Sequence, residues 1–206
     1  MTGDGAGPLE AALRASRDRG RKLLLPYVTG GLDDRWTDVL RAIADAGADA
    51  VEVGIPFSDP AMDGPTIEEA SVRSLARGTT PAAILGELAA VDAVMLAAPV
   101  TPDDRLRQVA ERSRGFVYAV SVMGITGARD RLASSAAVLA GRLKAITDRP
   151  VIIGFGIATP EQAVAAAAHS DGVVVASALM RARLDGATPE QLGERVAELR
   201  AALDRG

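Results

Sequence analysis

From residue 22 onward, short apolar runs alternate with longer stretches whose apolar residues recur every three or four positions, and the pair repeats six times. The runs are 22–28, 50–55, 92–97, 116–122, 150–155 and 172–176. Each has the length of a buried strand. The stretches 33–46, 67–76 with 81–88, 102–112, 130–145, 160–168 and 189–203 have the periodicity of helices. Strands that each feed a helix run parallel, because the crossover returns the chain to the end from which it started. This alternation leaves little choice of architecture: an α/β chain with a parallel sheet and helices outside it.

A complete eight-stranded barrel of this kind takes ~250 residues, or ~31 per strand–helix repeat. The 206 residues present have room for six to seven. The expected fold is a TIM-barrel-derived parallel (βα) fold with about six strand–helix units instead of eight, as a single domain over residues 1–206. Residues 1–8, polar and Gly-rich, are expected to fray. Leu9, Ala12, Leu13 and Ser16 share one helical face, so a helix there is expected to cover the bottom of the sheet. Four Thr-Pro pairs, at Thr80, Thr101, Thr159 and Thr188, read as helix starts, because Thr caps exposed amides and Pro needs no partner at the first helical position.

Composition narrows the function. A net charge of -4 gives no reason to expect nucleic acid or an anionic membrane as partner. With no cysteine and only His169, thiolate chemistry, disulfides and histidine-cluster metal sites drop out, and no cofactor is expected. His169 and Trp36 read as surface or packing residues. No apolar stretch approaches the ~18 residues needed to span a bilayer. The N-terminus lacks the basic and apolar parts of a signal peptide, so the expected location is cytoplasmic.

Chemistry concentrates in Asp49 to Thr66. Glu52 is the single charge within the run 50–55, and strand periodicity turns it to the face opposite Val51 and Val53. On the interior of a sheet such a carboxylate is costly to ionise, which is how an acid/base catalyst is made. The bland alternative is a Glu satisfied by a neighbouring cation or amide. Three prolines, Pro56, Pro60 and Pro65, restrict the following loop, which carries Asp59 and brings a second carboxylate, Asp63, back towards the strand end. Small residues follow three later strands: Gly124-Ile125-Thr126-Gly127, Gly154-Phe155-Gly156 and Ala176-Ser177. Backbone amides freed of side chains approach anions closely, and the last strands of such barrels commonly hold phosphate.

These residues resemble the alpha subunit of tryptophan synthase. The resemblance rests on P-Y-V-T-G-G at Pro26 to Gly31, V-E-V-G-I-P-F-S-D-P-A-M-D-G-P-T-I at Val51 to Ile67, A-A-P-V-T-P-D-D-R-L at Ala97 to Leu106, F-V-Y-A-V-S-V-M-G-I-T-G-A-R at Phe116 to Arg129, G-F-G-I at Gly154 to Ile157 and D-G-V-V-V-A-S-A at Asp171 to Ala178. It implies a lyase that splits indole-3-glycerol phosphate to indole and glyceraldehyde 3-phosphate by a retro-aldol reaction, working with a pyridoxal-phosphate beta subunit. By motif position it makes Glu52 the acid/base and Asp63 its partner carboxylate. Tyr27 and Tyr118 match positions bordering the substrate, and Thr126 belongs to a loop that closes towards Asp63. Gly127, Gly156 and Ser177 match phosphate contacts, and Ala176 stands where the family has glycine.

The resemblance also shows a gap. Helix 81–88 runs through Ala89-Ala90-Val91 into a strand whose exit matches the family's fifth, so two internal strand–helix units, about 60 residues at the usual spacing, are missing. Either six strands close into a smaller barrel, or two strand edges remain open to a partner, a second copy of the chain included. Two further readings stand beside the lyase: a non-catalytic homologue that binds a phosphate ligand or regulates a beta-type partner, and a lyase for a different phosphorylated substrate.

Overall fold

The computed structural model describes residues 7–58, 63–88, 95–120, 129–154 and 156–206. Among them are six parallel strands and nine helices. In chain order these are α1 (Pro8–Asp18), β1 (Leu23–Thr29), α2 (Trp36–Asp45), β2 (Glu52–Gly54), α3 (Pro65–Ala76), α4 (Pro81–Glu87), β3 (Met95–Ala97), α5 (Asp103–Arg112), β4 (Val117–Val120), α6 (Arg129–Lys144), β5 (Val151–Gly154), α7 (Pro160–Ala167), β6 (Gly172–Val175), α8 (Ser177–Leu184) and α9 (Pro189–Arg205). No helix of the described residues is long and apolar enough to cross a membrane. The chain divides into two compact units, residues 1–23, 92–155 and 164–173 forming the first and 24–91, 156–163 and 174–206 the second.

In the first unit the sheet order is β6-β5-β4-β3. Parallel pairing sets Val117 beside Met95 and Val151, and Ile153 beside Ala119 and Val173. Val117, Ala119, Val151 and Ile153 share one face and pack with Leu106 of α5 and with Leu139 and Leu143 of α6, all buried. The alternate residues Tyr118 and Gly154 turn to the other face, as period two requires. Asp171, just ahead of β6, holds this sheet at its N-terminal end. Its carboxylate accepts the Val151 amide at 2.8 Å and meets the Lys144 ammonium at 2.7 Å. Helix α1 buries Leu13 as expected, but Ala12 is exposed and Glu10 is buried in its place. Glu10 can go inside because Arg14 and Arg149 reach its two oxygens at 2.9 and 3.1 Å.

In the second unit the order is β2-β1-β6. Tyr27 pairs with Glu52, Val28 with Val53 and Thr29 with Gly54. Helices α2 and α9 pack closely, since a Cβ on Gly193 would lie 3.1 Å from the Ala42 carbonyl oxygen. Trp36, Val39 and Ile43 of α2 are buried, and His169, in the first unit, is exposed. Asp49 repeats the device seen at Asp171: it accepts the Leu24 amide at 2.9 Å and meets Arg200 of α9 at 3.1 Å.

Element ends differ from the sequence expectation for local reasons. Strand β2 spans three residues of the expected six, and its C-terminal end at Gly54 falls opposite the end of β1 at Thr29, where Gly30-Gly31 turns the chain with Gly31 at φ +67°. Helix α2 starts at Trp36 and not at Asp33, because the Asp33 carboxylate accepts the Arg35 amide at 2.8 Å and fixes a turn first. Helix α8 was not expected at all. It forms where Ala176 leaves strand geometry, at φ -112° and ψ -79°, and is held by burial of Leu179, Met180 and Ala182.

Candidate active site

Glu52 opens β2 directly beside Tyr27 of β1, and in a parallel pair such partners project to the same face. Its Oε2 is buried and meets no hydrogen-bond partner among the described residues. Burial first, and then the charge of Asp63, push the carboxyl up from 4.5 to about 7. The bland alternative is a Glu satisfied by a neighbouring cation or amide; among the described residues neither reaches Oε2, and no cation figures among the causes of the shift.

Tyr27 leans from its register partner towards the C-terminal end of β2. A Cβ on Gly54 would coincide with the Tyr27 hydroxyl and the adjoining ring carbons, so the phenol occupies the side-chain space of the residue two positions after Glu52. The Thr29 hydroxyl donates to the phenol oxygen at 3.5 Å. Burial pushes the phenol up to about 12, with Asp63 and Glu52 adding to the effect and Thr29 opposing it. Tyr27 therefore stays protonated wherever Glu52 titrates.

Asp63 lies just ahead of α3, one residue before its N-cap Gly64, and is exposed. Partial burial raises its carboxyl from the usual range. The charge of Asp63 adds to the burial that opposes ionisation of Glu52. Two carboxyl groups that act on one another in this way can divide work as proton donor and charge stabiliser.

Three of the expected phosphate residues fall in the same unit. Gly156 has φ +58°, Ala176 is the N-cap of α8, and Ser177 is its exposed first residue. The first intrahelical bonds run from Leu179 and Met180 to the Ala176 carbonyl at 3.1 and 3.0 Å, so the preceding amides point out of the helix end. No side chain caps α8 and no acidic residue lies in its first turn, which leaves this end suited to an anion. Helix α8 is anchored by the Met180 sulfur, which accepts the Thr29 amide at 3.4 Å, and by Arg181, which reaches Glu69 of α3 at 2.8 Å. Glu52, Tyr27 and Asp63 thus act on one another, while Ala176 and Ser177 follow β6 in the same unit.

Tyr118 lies in the first unit, on β4, with its hydroxyl in the space a Cβ on Gly154 would take. Asp59, Thr126 and Gly127 lie outside the described residues. Sequence reasoning missed Gly54 and Thr29. The glycine two places after Glu52 was the available signal, but its meaning depends on the register with β1. Among the described residues no group of three or more His, Cys, Asp or Glu could hold a metal ion.

Comparison with known proteins gives the family of the chain. The profile of a family described as tryptophan synthase alpha chain matches residues 13–93 and 87–204. The tryptophan synthase alpha chain of Gloeobacter violaceus is 36% identical, with 89% of this chain and 88% of that protein covered. That of Gluconacetobacter diazotrophicus is 36% identical over 93% of each. A solved structure of tryptophan synthase from Mycobacterium tuberculosis superposes with a TM-score of 0.84 at 30% identity, covering 98% of this chain and 100% of that one. The Gloeobacter alignment spans 246 positions, whereas 89% of 206 residues is about 183, so about 60 positions have no residue here. The two profile matches meet at 87–93, where the sequence places the missing repeats.

Proposed function

Since the chain belongs to the tryptophan synthase alpha chain family, we propose that it cleaves indole-3-glycerol phosphate with Glu52 as acid/base and Asp63 as partner carboxylate. The observation that carries this reading is the buried Glu52 carboxyl, unpaired at Oε2 and pushed up to about 7 beside a second carboxylate. Protonated Glu52 delivers its proton to C3 of the indole ring. Positive charge then spreads to the ring nitrogen, where ionised Asp63 accepts the N-H and stabilises it. The Glu52 carboxylate takes the proton of the glycerol hydroxyl next to the scissile bond. The C-C bond breaks, its electrons return to the ring, and indole and glyceraldehyde 3-phosphate leave with Glu52 protonated again. Tyr27, Tyr118 and Thr126 border the ring and glycerol. Gly127, Gly156, Ala176 and Ser177 hold the phosphate through backbone amides and the Ser177 hydroxyl.

Tryptophan synthase alpha chains work with a beta subunit and a phosphorylated substrate. We extend both to this chain, together with a cytoplasmic location. The strands β2 and β3 each have one neighbour in their own unit, β1 and β4, which is the basis for proposing association of a second copy along these edges.

The deciding measurement is indole release from indole-3-glycerol phosphate by the purified chain, alone and with a tryptophan synthase beta subunit added. Release that falls by ~100-fold or more in Glu52→Gln, the usual weight of a general acid/base, is the expected result. No release in either series would overturn the lyase reading in favour of a binding protein or a different phosphorylated substrate.

A further inference from the structure

We propose that Tyr27 is a positioning residue for the reaction: its ring, seated on the bare backbone of Gly54, covers Glu52 and keeps the carboxyl out of water. The proposal rests on the functional reading above and adds to it the element that makes a strand glutamate into an acid.

Strand β2 is short and has β1 as its neighbour in the second unit, so little of its own length can shield a side chain at its start. Glu52 and Gly54 lie two residues apart and therefore on one face, with Tyr27 directly across from Glu52. From there the Tyr27 ring crosses to Gly54, where its hydroxyl, Cζ and Cε2 fill the position of the missing side chain. A ring that starts opposite Glu52 and ends over Gly54 lies alongside the glutamate on the face they share. The couplings agree, since the charges of both Glu52 and Asp63 act on the phenol. Among the described residues, Asp63 ahead of α3 and Tyr27 on β1 are the titratable groups coupled to Glu52. The hydroxyl is steadied by Thr29 on its own strand. The same packing recurs in the first unit, where Tyr118 crosses to Gly154, but there the register partner is Ile152 and no acid is covered. Tyrosine over glycine is thus a packing motif of this fold that, at β2, coincides with an ionisable partner.

The cover requires that Gly54 remain glycine and that position 27 keep an aromatic ring. Its test is the titration of Glu52 itself, read as the carboxylic C=O band in infrared difference spectra against Glu52→Gln, a signal that does not depend on turnover. The wild-type midpoint is expected near 7. Tyr27→Phe, which keeps the ring, is expected to leave it in place. Tyr27→Ala and Gly54→Ala, which remove or displace the ring, are expected to lower it by at least one pH unit, a roughly fivefold or greater loss of the protonated form at pH 7. In activity the same two variants lose kcat at pH 7 and regain part of it at lower pH, with KM changing less. Should Tyr27→Ala fail to fold, Gly54→Ala makes the same test from the neighbouring strand. An unchanged midpoint in the variants that lose the ring overturns the proposal, as does a Tyr27→Phe midpoint that falls as far as that of Tyr27→Ala, which would credit the hydroxyl alone. If instead Glu52→Gln still releases indole, the functional reading fails while the titration continues to judge the cover.

Discussion

Glu52 imposes two pH dependences that can be separated. As the proton donor to the ring it works only when protonated, so kcat/KM is expected to fall above pH 7, where the folded carboxyl titrates. Stability has its own window. The folded group binds its proton more tightly than the unfolded one, so between the unfolded value near 4.5 and about 7 the native state carries more protons and loses stability as pH rises. Glu52→Gln removes that loss. The variant is expected to melt at a higher temperature than the wild type at pH 8 and to converge with it below pH 4.5; a wild type more stable at pH 8 would mean that the carboxylate has a favourable partner when charged. The burial of Glu52 and its coupling to Asp63 were legible in the sequence because a single charge stood within an apolar run and a proline-restricted loop returned a second one. Tyr27 was legible only as a resemblance. What it covers depends on which residue of β2 stands opposite, and register between strands distant in sequence leaves no local mark.

Elements begin and end where their partners allow, which is why the helix and strand series was readable and its boundaries were not. Periodicity located six strands, yet β2 stops at Gly54 where β1 ends opposite it, and the eight residues of α8 have no room for a periodic pattern of their own. The aspartates Asp49 and Asp171, each just ahead of a strand, were likewise silent in the sequence. Both take the amide at the start of a neighbouring strand and pair with a helix cation. At Asp49 the partner is Arg200, and both side chains are only 7% exposed. Removing one member of such a pair strands the other away from water, at a cost of about 3–5 kcal/mol. Arg200→Ala is therefore expected to lower the urea unfolding free energy by about that much, measured by circular dichroism at neutral pH. A change below about 1 kcal/mol would mean that the remaining partners of Asp49 satisfy it.

For the whole molecule, the alternation of runs predicted a parallel (βα) fold of about six repeats, and the fold has six parallel strands among its described residues. What composition and periodicity left open was the fate of the strands that flank the missing repeats. About 60 aligned positions of the Gloeobacter relative have no residue here, and the two profile matches meet at 87–93, between α4 and β3. Here the elements flanking the gap expose apolar side chains: Ile55 and Phe57 after β2, Val72 and Leu85 on α3 and α4, and Leu96 on β3 with Val100 after it. Phe57 is 64% exposed and Val100 80%, more than isolated surface residues need be. Terminal parallel strands with an apolar border invite pairing with another chain. Light scattering on the chromatographed chain is therefore expected to give at least twice the monomer mass at micromolar concentration. Leu96→Lys, a charge placed on the β3 edge far in sequence from Glu52 and Asp63, is expected to shift the mass towards the monomer. A wild-type chain that runs as a monomer throughout would leave the edges to the beta subunit, and then adding that subunit should protect the Leu96 segment from hydrogen exchange.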